Sequence, residues 1–195
     1  LSSLKDERVA AARVLRGPGT SGGSFDRMGQ LKDLEEALYA AKIVSYAQGF
    51  MLLRKASDDL GWQVPLGTVP RLWRGGCVIR SRFLGDIATA YEEDPELANL
   101  MTAPFFAREL VACQAGWRRT LSRAIAAGVP VPALSAALAF YDGYRAERLP
   151  ANLIQAQRDY FGAHTYERVD APRGQRFHTD WTGRGGRVTA ESYEV

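Results

Sequence analysis

The stretch LKDLEEALYAAKIVSYAQGFMLLRKASDDL, Leu31 to Leu60, is the longest periodic segment of the chain. Leu34, Leu38, Ala41, Ser45, Gln48, Leu52 and Ala56 recur at three- and four-residue intervals, which places them along one stripe of an α-helix. The small residues Ala40, Ala41, Ala47 and Gly49 would let a second helix approach closely, as ridge-into-groove packing requires. A long central helix is therefore predicted, and the flanking segments extend the same pattern.

Upstream, LSSLKDERVAAARVL places Leu1, Leu4, Val9, Ala12 and Leu15 at mostly helical spacing, with neither an initiator methionine nor a cap before it. The expectation is a chain entered in mid-helix. GPGTSGGS, Gly17 to Ser24, then forms a loop, since glycine and proline cannot sustain the helix. Downstream, VPRLWRGGCVIRSRFLGDIATAYEE predicts a helix from about Val69, with Gly75 and Gly76 serving close helix contact. DPELANLM continues the helical pattern, with Asp94 as cap and Pro95 as first residue. Gly128 ends the next helix, Pro130 and Pro132 fix the following connection, and Pro150 opens a short helix that stops near Gly162. From Val169 onward no helical stripe remains. The fold class is all-α, with a helical body at 1–169 and an extended tail at 170–195.

Composition narrows the function classes. The 195 residues, 46% hydrophobic, can bury a sizeable core as one domain. No apolar run reaches the roughly 20 residues of a membrane span, and no basic leader opens the chain, so neither membrane nor export is expected. Cys77 and Cys113 are too few for a disulfide framework or a four-thiolate zinc site, and both read as free buried thiols of a reducing cytosol. The 25 basic residues are interspersed with 22 acidic ones, a poor footprint for nucleic acid. Lysine occurs only at positions 5, 32, 42 and 55; every later basic side chain, histidines aside, is arginine. Arginine suits bidentate phosphate binding, although a GC-rich genome gives the same bias. No Gly-x-Gly-x-x-Gly follows a strand, and no P-loop or paired-histidine metal motif is visible, so no metal is expected.

QAQRDYFGAHTYE, Gln155 to Glu167, holds the remaining chemistry: Arg158, and His164 on the turn after the last helix. A guanidinium can grip two phosphate oxygens and a nearby histidine can reach the same anion. A plainer alternative makes Arg158 a surface ion-pair partner of Asp159 and His164 a packing residue.

The order of landmarks ALYAAKIVSYAQGFMLLRKAS, LWRGGCVIRSRFL, VPVPALSAALAFYDGYR and LPANLIQAQRDYFGAHTYER, followed by FHTDWTGRGG, resembles the C-terminal region of the 6-phosphogluconate dehydrogenases across essentially the whole chain. The resemblance implies an all-helical domain, mostly shared within a homodimer, that follows an N-terminal nucleotide-binding α/β domain. It implies a cytoplasmic oxidoreductase of the pentose phosphate pathway. That enzyme oxidises 6-phosphogluconate at C3 with NADP and then decarboxylates the 3-keto acid to ribulose 5-phosphate. The family's base, a lysine, and acid, a glutamate, lie upstream of Leu1, so no catalytic residue is expected in this chain and the chain alone is expected to be inactive. By the same resemblance Arg158 binds the substrate phosphate and His164 adds a donor, completing the partner subunit's active site. In the tail, Phe177, His178 and Trp181 would be anchors in the other subunit, with His178 structural. Ala190, Glu191, Ser192 and Tyr193 would border the neighbour's cofactor pocket. The alternative from another class is a free-standing helical dimerisation or sugar-phosphate-binding module without catalysis.

Overall fold

The computed structural model describes residues 1–19, 26–181 and 183. Helix α1 (Lys5–Val14) comes first, and the periodic segment that follows is one unbroken helix, α2 (Arg27–Leu60). Its ends have local causes. The Asp26 carboxylate accepts the Gly29 N–H at 3.0 Å, satisfying one of the donors a helix start leaves open, and Gly61 closes the other end at φ 65°. The helices α3 (Val69–Leu72), α4 (Leu84–Glu93), α5 (Pro104–Ala126), α6 (Pro132–Tyr144) and α7 (Asn152–Gly162) complete an all-α body, as predicted. Gly128, at φ 68°, follows the end of α5, and Pro132 is the first residue of α6. Two compact units result, Leu1–Asp142 and Gly143–Val195.

The first unit is built on α2 against α5. The buried face of α2 is Ala37, Ala40, Ala41, Ile43, Val44, Ala47 and Phe50. It is not the stripe through Leu34, Leu38 and Leu52, whose side chains are exposed. The helix carries two apolar faces, and the one with small residues takes the close helix contact because only there can the backbones approach. Gly49, expected to serve that approach, instead faces open space. Gly116 of α5 performs it: a Cβ there would stand 3.1 Å from Asp33 Cα. Asp33 is buried and accepts Arg119 Nη2 at 2.6 Å and Arg123 Nη1 at 2.6 Å, tying the two helices together. The paired Arg119 guanidinium, opposed by burial and aided by Arg123, pulls its carboxyl down to about 2. Above this contact Phe83 meets Tyr39, Tyr46 and Phe106 edge-on, while Phe50 stacks on Tyr91 at 5.2 Å.

Two predicted helices are corrected. The segment from Val69 is helical only to Leu72 and again from Leu84, with turns between. Gly75 and Gly76 break it, since Gly76 takes φ 83° and neither glycine meets a close neighbour. Asp94 does not open a helix either. It terminates α4 and accepts the Glu96 N–H at 3.0 Å, a turn that leads to a single 3-10 turn at Leu100–Thr102 before Pro104 starts α5. Of the two thiols, Cys113 is buried, and burial pushes it up; Cys77 is only half-buried. Among the described residues no helix is long and apolar enough to cross a membrane, and no cluster of ligating side chains could hold a metal ion.

The second unit contains α7 and a minimal hairpin, β1 (Tyr166–Glu167) with β2 (Arg176–Phe177), antiparallel with Tyr166 opposite Phe177. The segment after Val169 is thus not wholly irregular. Two residues per strand are too few to leave an alternating pattern in sequence, and the pairing rests on side chains. The Tyr166 and Phe177 rings lie 6.3 Å apart, and the Arg168 guanidinium sits 5.4 Å from the Phe177 centroid.

Candidate functional site

The last turn of α7 carries Arg158 and Asp159 on different faces. Arg158 is exposed, and its Nη1 makes a single long bond, 3.5 Å, to Gln155 Oε1. Asp159 is fully buried and does not pair with Arg158, so the surface ion-pair reading of these neighbours is corrected. Adjacent positions on a helix point about 100° apart, which allows one to serve solvent and the next the interior.

Immediately after α7 the backbone turns twice through the left-handed region: Ala163 at φ 48° and Thr165 at φ 58°, both non-glycine, with His164 between them. Such positions cost on the order of 1–3 kcal/mol each and persist only where the surroundings impose them. The surroundings are visible. Ala163 N–H donates to the Asp159 carbonyl at 3.0 Å, Thr165 N–H donates to Asp159 Oδ1 at 3.0 Å, and Gln155 Nε2 donates to the Thr165 carbonyl. Gly162 leaves room for the ring as placed, because a Cβ would stand 2.8 Å from His164 Cδ2 and Nε2. The His164 ring folds back over that glycine and meets Phe161 edge-on at 5.7 Å. It is exposed and makes no hydrogen bond among the described residues. Arg158 and His164 therefore lie at one end of α7, each with its donors available, and no bond joins them.

Sequence reasoning named Asp159 only as a surface ion-pair alternative for Arg158, whereas its buried carboxylate holds this geometry. Its Oδ1 meets Thr165 N–H and His178 Nδ1 (2.9 Å), and its Oδ2 accepts Thr179 N–H (3.0 Å) and Trp181 Nε1–H (2.9 Å). Burial, the largest single influence, pushes its carboxyl up; the donors of Thr179, His178 and Trp181 together outweigh it and hold the group down at about 2. The reading of His178 as structural agrees with this contact. No periodicity marks an acid whose partners lie up to Trp181, so the only signal was an acidic residue just before a helix stop. Phe177 and Trp181 make their ring and hydrogen-bond contacts with Tyr166, Arg168 and Asp159 of the same unit. Ala190, Glu191, Ser192 and Tyr193 lie outside the described residues.

An exposed guanidinium with one long bond to Gln155 and an exposed imidazole on a clamped turn can donate to an anion. Among the described residues nothing forms a dinucleotide cradle, because the two strands are antiparallel and neither opens a helix through a glycine-rich turn. These features define an all-helical domain. The comparison with known families specifies which one. The model of the 6-phosphogluconate dehydrogenase C-terminal domain matches residues 1–181, and the chain belongs to that family. It is 54% identical to the human and 55% identical to the Rattus norvegicus "6-phosphogluconate dehydrogenase, decarboxylating", over 100% of this chain and 40% of each relative. The chain thus spans 40% of the length of these relatives. Among solved structures, Plasmodium falciparum 6-phosphogluconate dehydrogenase, described as apo, with its cofactor NADP+ and with its substrate 6-phosphogluconate, superposes with a TM-score of 0.84 at 37% identity. That match covers 92% of this chain and 38% of the other.

Proposed function

We propose that this chain is the C-terminal part of an NADP-dependent 6-phosphogluconate dehydrogenase that oxidatively decarboxylates 6-phosphogluconate to ribulose 5-phosphate in the cytoplasmic pentose phosphate pathway. Its own contribution is to bind and orient the substrate. Arg158 forks onto the phosphate and His164 adds a donor from the clamped turn. The observation that carries this is the turn itself: two strained non-glycine residues, φ 48° and φ 58°, flank an exposed histidine beside an exposed, nearly unpartnered arginine. Strain of this kind clusters at ligand-binding sites. NADP supplies the hydride acceptor and, in this reading, is held mainly by residues outside this chain, with Ala190–Tyr193 reaching the partner's cofactor pocket.

The domain acts as a homodimer, each site taking Arg158 and His164 from the partner subunit, with the segment from 170 onward contacting that partner. The support is the unused leucine face of α2, where Leu31, Leu34 and Leu38 are 50%, 40% and 55% exposed. An apolar face of this kind on a long helix favours burial in a two-fold interface. Neither nucleic acid nor membrane is a partner in this reading.

The deciding experiment uses a polypeptide of the relatives' full length that ends in this chain, incubated with NADP and 6-phosphogluconate labelled at C1. NADPH and labelled carbon dioxide should appear in equal amounts. NADPH without carbon dioxide, or neither product, would refute the assignment.

A further inference from the structure

The carboxylate of Asp159 touches no solvent, and all of its contacts serve two pieces of chain: the His164 turn on Oδ1 and the His178–Trp181 segment on both oxygens. We propose that Asp159 is a positioning residue for the substrate-phosphate site: it holds the His164 turn in its strained form and makes that form depend on the docking of His178–Trp181 in the same unit. The inference rests on the assignment of Arg158 and His164 to the substrate.

Three of the partners, Thr165 N–H, Thr179 N–H and Trp181 Nε1–H, can only donate. One of these obligate donors sits on Oδ1 and two sit on Oδ2. An ionised carboxylate is acceptor-only on both oxygens and satisfies them all. An asparagine cannot. In either amide orientation its NH2 group faces at least one obligate donor, so a buried polar clash replaces a bond. Loss of the Oδ1 bond leaves Thr165 held only through its carbonyl by Gln155 and loosens half of the left-handed pair that aims His164. Loss of the Oδ2 bonds releases Trp181. Asp159 thus joins the His164 turn to the His178–Trp181 segment through one buried carboxylate, beside the Tyr166–Phe177 strand pairing and the 2.6 Å bond between Tyr166 Oη and Thr179 Oγ1, and the substitution usually considered mildest at an aspartate is disruptive at this one.

The test compares Asp159→Asn, Arg158→Ala and His164→Ala in the full-length dehydrogenase, with kcat and the KM for each substrate measured separately. Asp159→Asn should raise the KM for 6-phosphogluconate by about tenfold or more while the KM for NADP stays within about twofold. In nitrogen-labelled protein the Thr165 amide and Trp181 indole N–H resonances should shift together, reporting the lost bonds independently of turnover. If Arg158→Ala and His164→Ala raise that KM and Asp159→Asn does not, the positioning role is overturned and the substrate site stands. If none of the three raises it, the substrate assignment falls and the positioning role falls with it. Should Asp159→Asn fail to fold, Trp181→Phe decides. It removes one donor and leaves the carboxylate, so the KM for 6-phosphogluconate should rise by about two- to fivefold with the Thr165 amide displaced. An unmoved amide and an unchanged KM would overturn the inference.

Discussion

Gly116 faces Asp33 across the contact between α5 and α2 so closely that a Cβ on the glycine would stand 3.1 Å from Asp33 Cα. The close approach lets Arg119 and Arg123, one and two turns further along α5, reach the Asp33 carboxylate. Helix–helix packing and the ion pairs of the buried Asp33 with two half-exposed arginines are therefore one device, and a methyl group at 116 would disturb both.

Gly116→Ala should destabilise the chain despite the better helix propensity of alanine. Propensity favours the substitution by about 1 kcal/mol, whereas overpacking a tight contact costs roughly 1–3 kcal/mol and displaces Glu36 and Asp33. Gly49→Ala in α2 is the control with opposite sign, because its Cβ meets nothing within 4 Å. It should stabilise by roughly 0.5–1 kcal/mol. Thermal midpoints of the two variants moving in the same direction would contradict the packing described.

Acid sensitivity follows from Asp33 and Asp159, both held at about 2 against an ordinary value of 3.8. A carboxyl group with a lower pKa folded than unfolded binds more protons in the unfolded chain. Its stabilisation is therefore complete above about pH 4 and disappears as pH falls through 2. Thermal midpoints should decline across that window, and Asp33→Asn should flatten the decline. An unchanged slope in the variant would show that Asp33 contributes nothing to it.

The 195-residue chain by itself should produce no NADPH from NADP and 6-phosphogluconate. Its described residues form no dinucleotide cradle to hold the hydride acceptor, and orientation of the reacting groups carries much of an enzyme's rate. It should nevertheless sediment as a dimer at micromolar concentration, since the leucines of α2 remain uncovered otherwise. NADPH formation by the purified chain, or a monomer in the centrifuge, would count against the respective half of this prediction.

Much of this was legible in the sequence because helices announce themselves locally. The long run of α2, the stop at Gly128, the start at Pro132 and the end of α7 at Gly162 each depend on residues within a turn or two of the event. What was not legible depended on contacts distant in the chain. Which face of α2 is buried was decided by Gly116, and leucines outvoted alanines only while no partner helix was in view. Gly75–Gly76 and Asp94–Pro95 fit helical and turn roles equally well by composition. Arg158 and His164 were legible as candidates. Asp159 was not, because its donors at Thr165, His178, Thr179 and Trp181 leave no spacing signature.

Arg158 offers the sharpest test of the site. Its guanidinium is exposed and held by one long bond to Gln155, so Arg158→Ala should leave helical content and melting nearly unchanged. In the full-length enzyme the KM for 6-phosphogluconate should rise strongly, since a lost charge-assisted hydrogen bond costs roughly 1.5–3 kcal/mol, about ten- to more than a hundredfold, and a bidentate grip more. Arg158→Lys should recover only part of this, because an ammonium supplies the charge without the planar fork. The phosphate is remote from C3, so its binding energy also orients the reacting carbon, and some fall in kcat should accompany the weaker binding. Mixing then separates a site within one subunit from a site shared by two. Subunits carrying Arg158→Ala, paired with subunits lacking the family's upstream catalytic lysine, should regenerate one working site in each mixed dimer. One half of that dimer would combine an intact lysine with an intact Arg158 from across the interface. If mixed dimers form and show no more activity than either parent, Arg158 does not act across the interface, and the shared site is wrong even if the phosphate assignment survives.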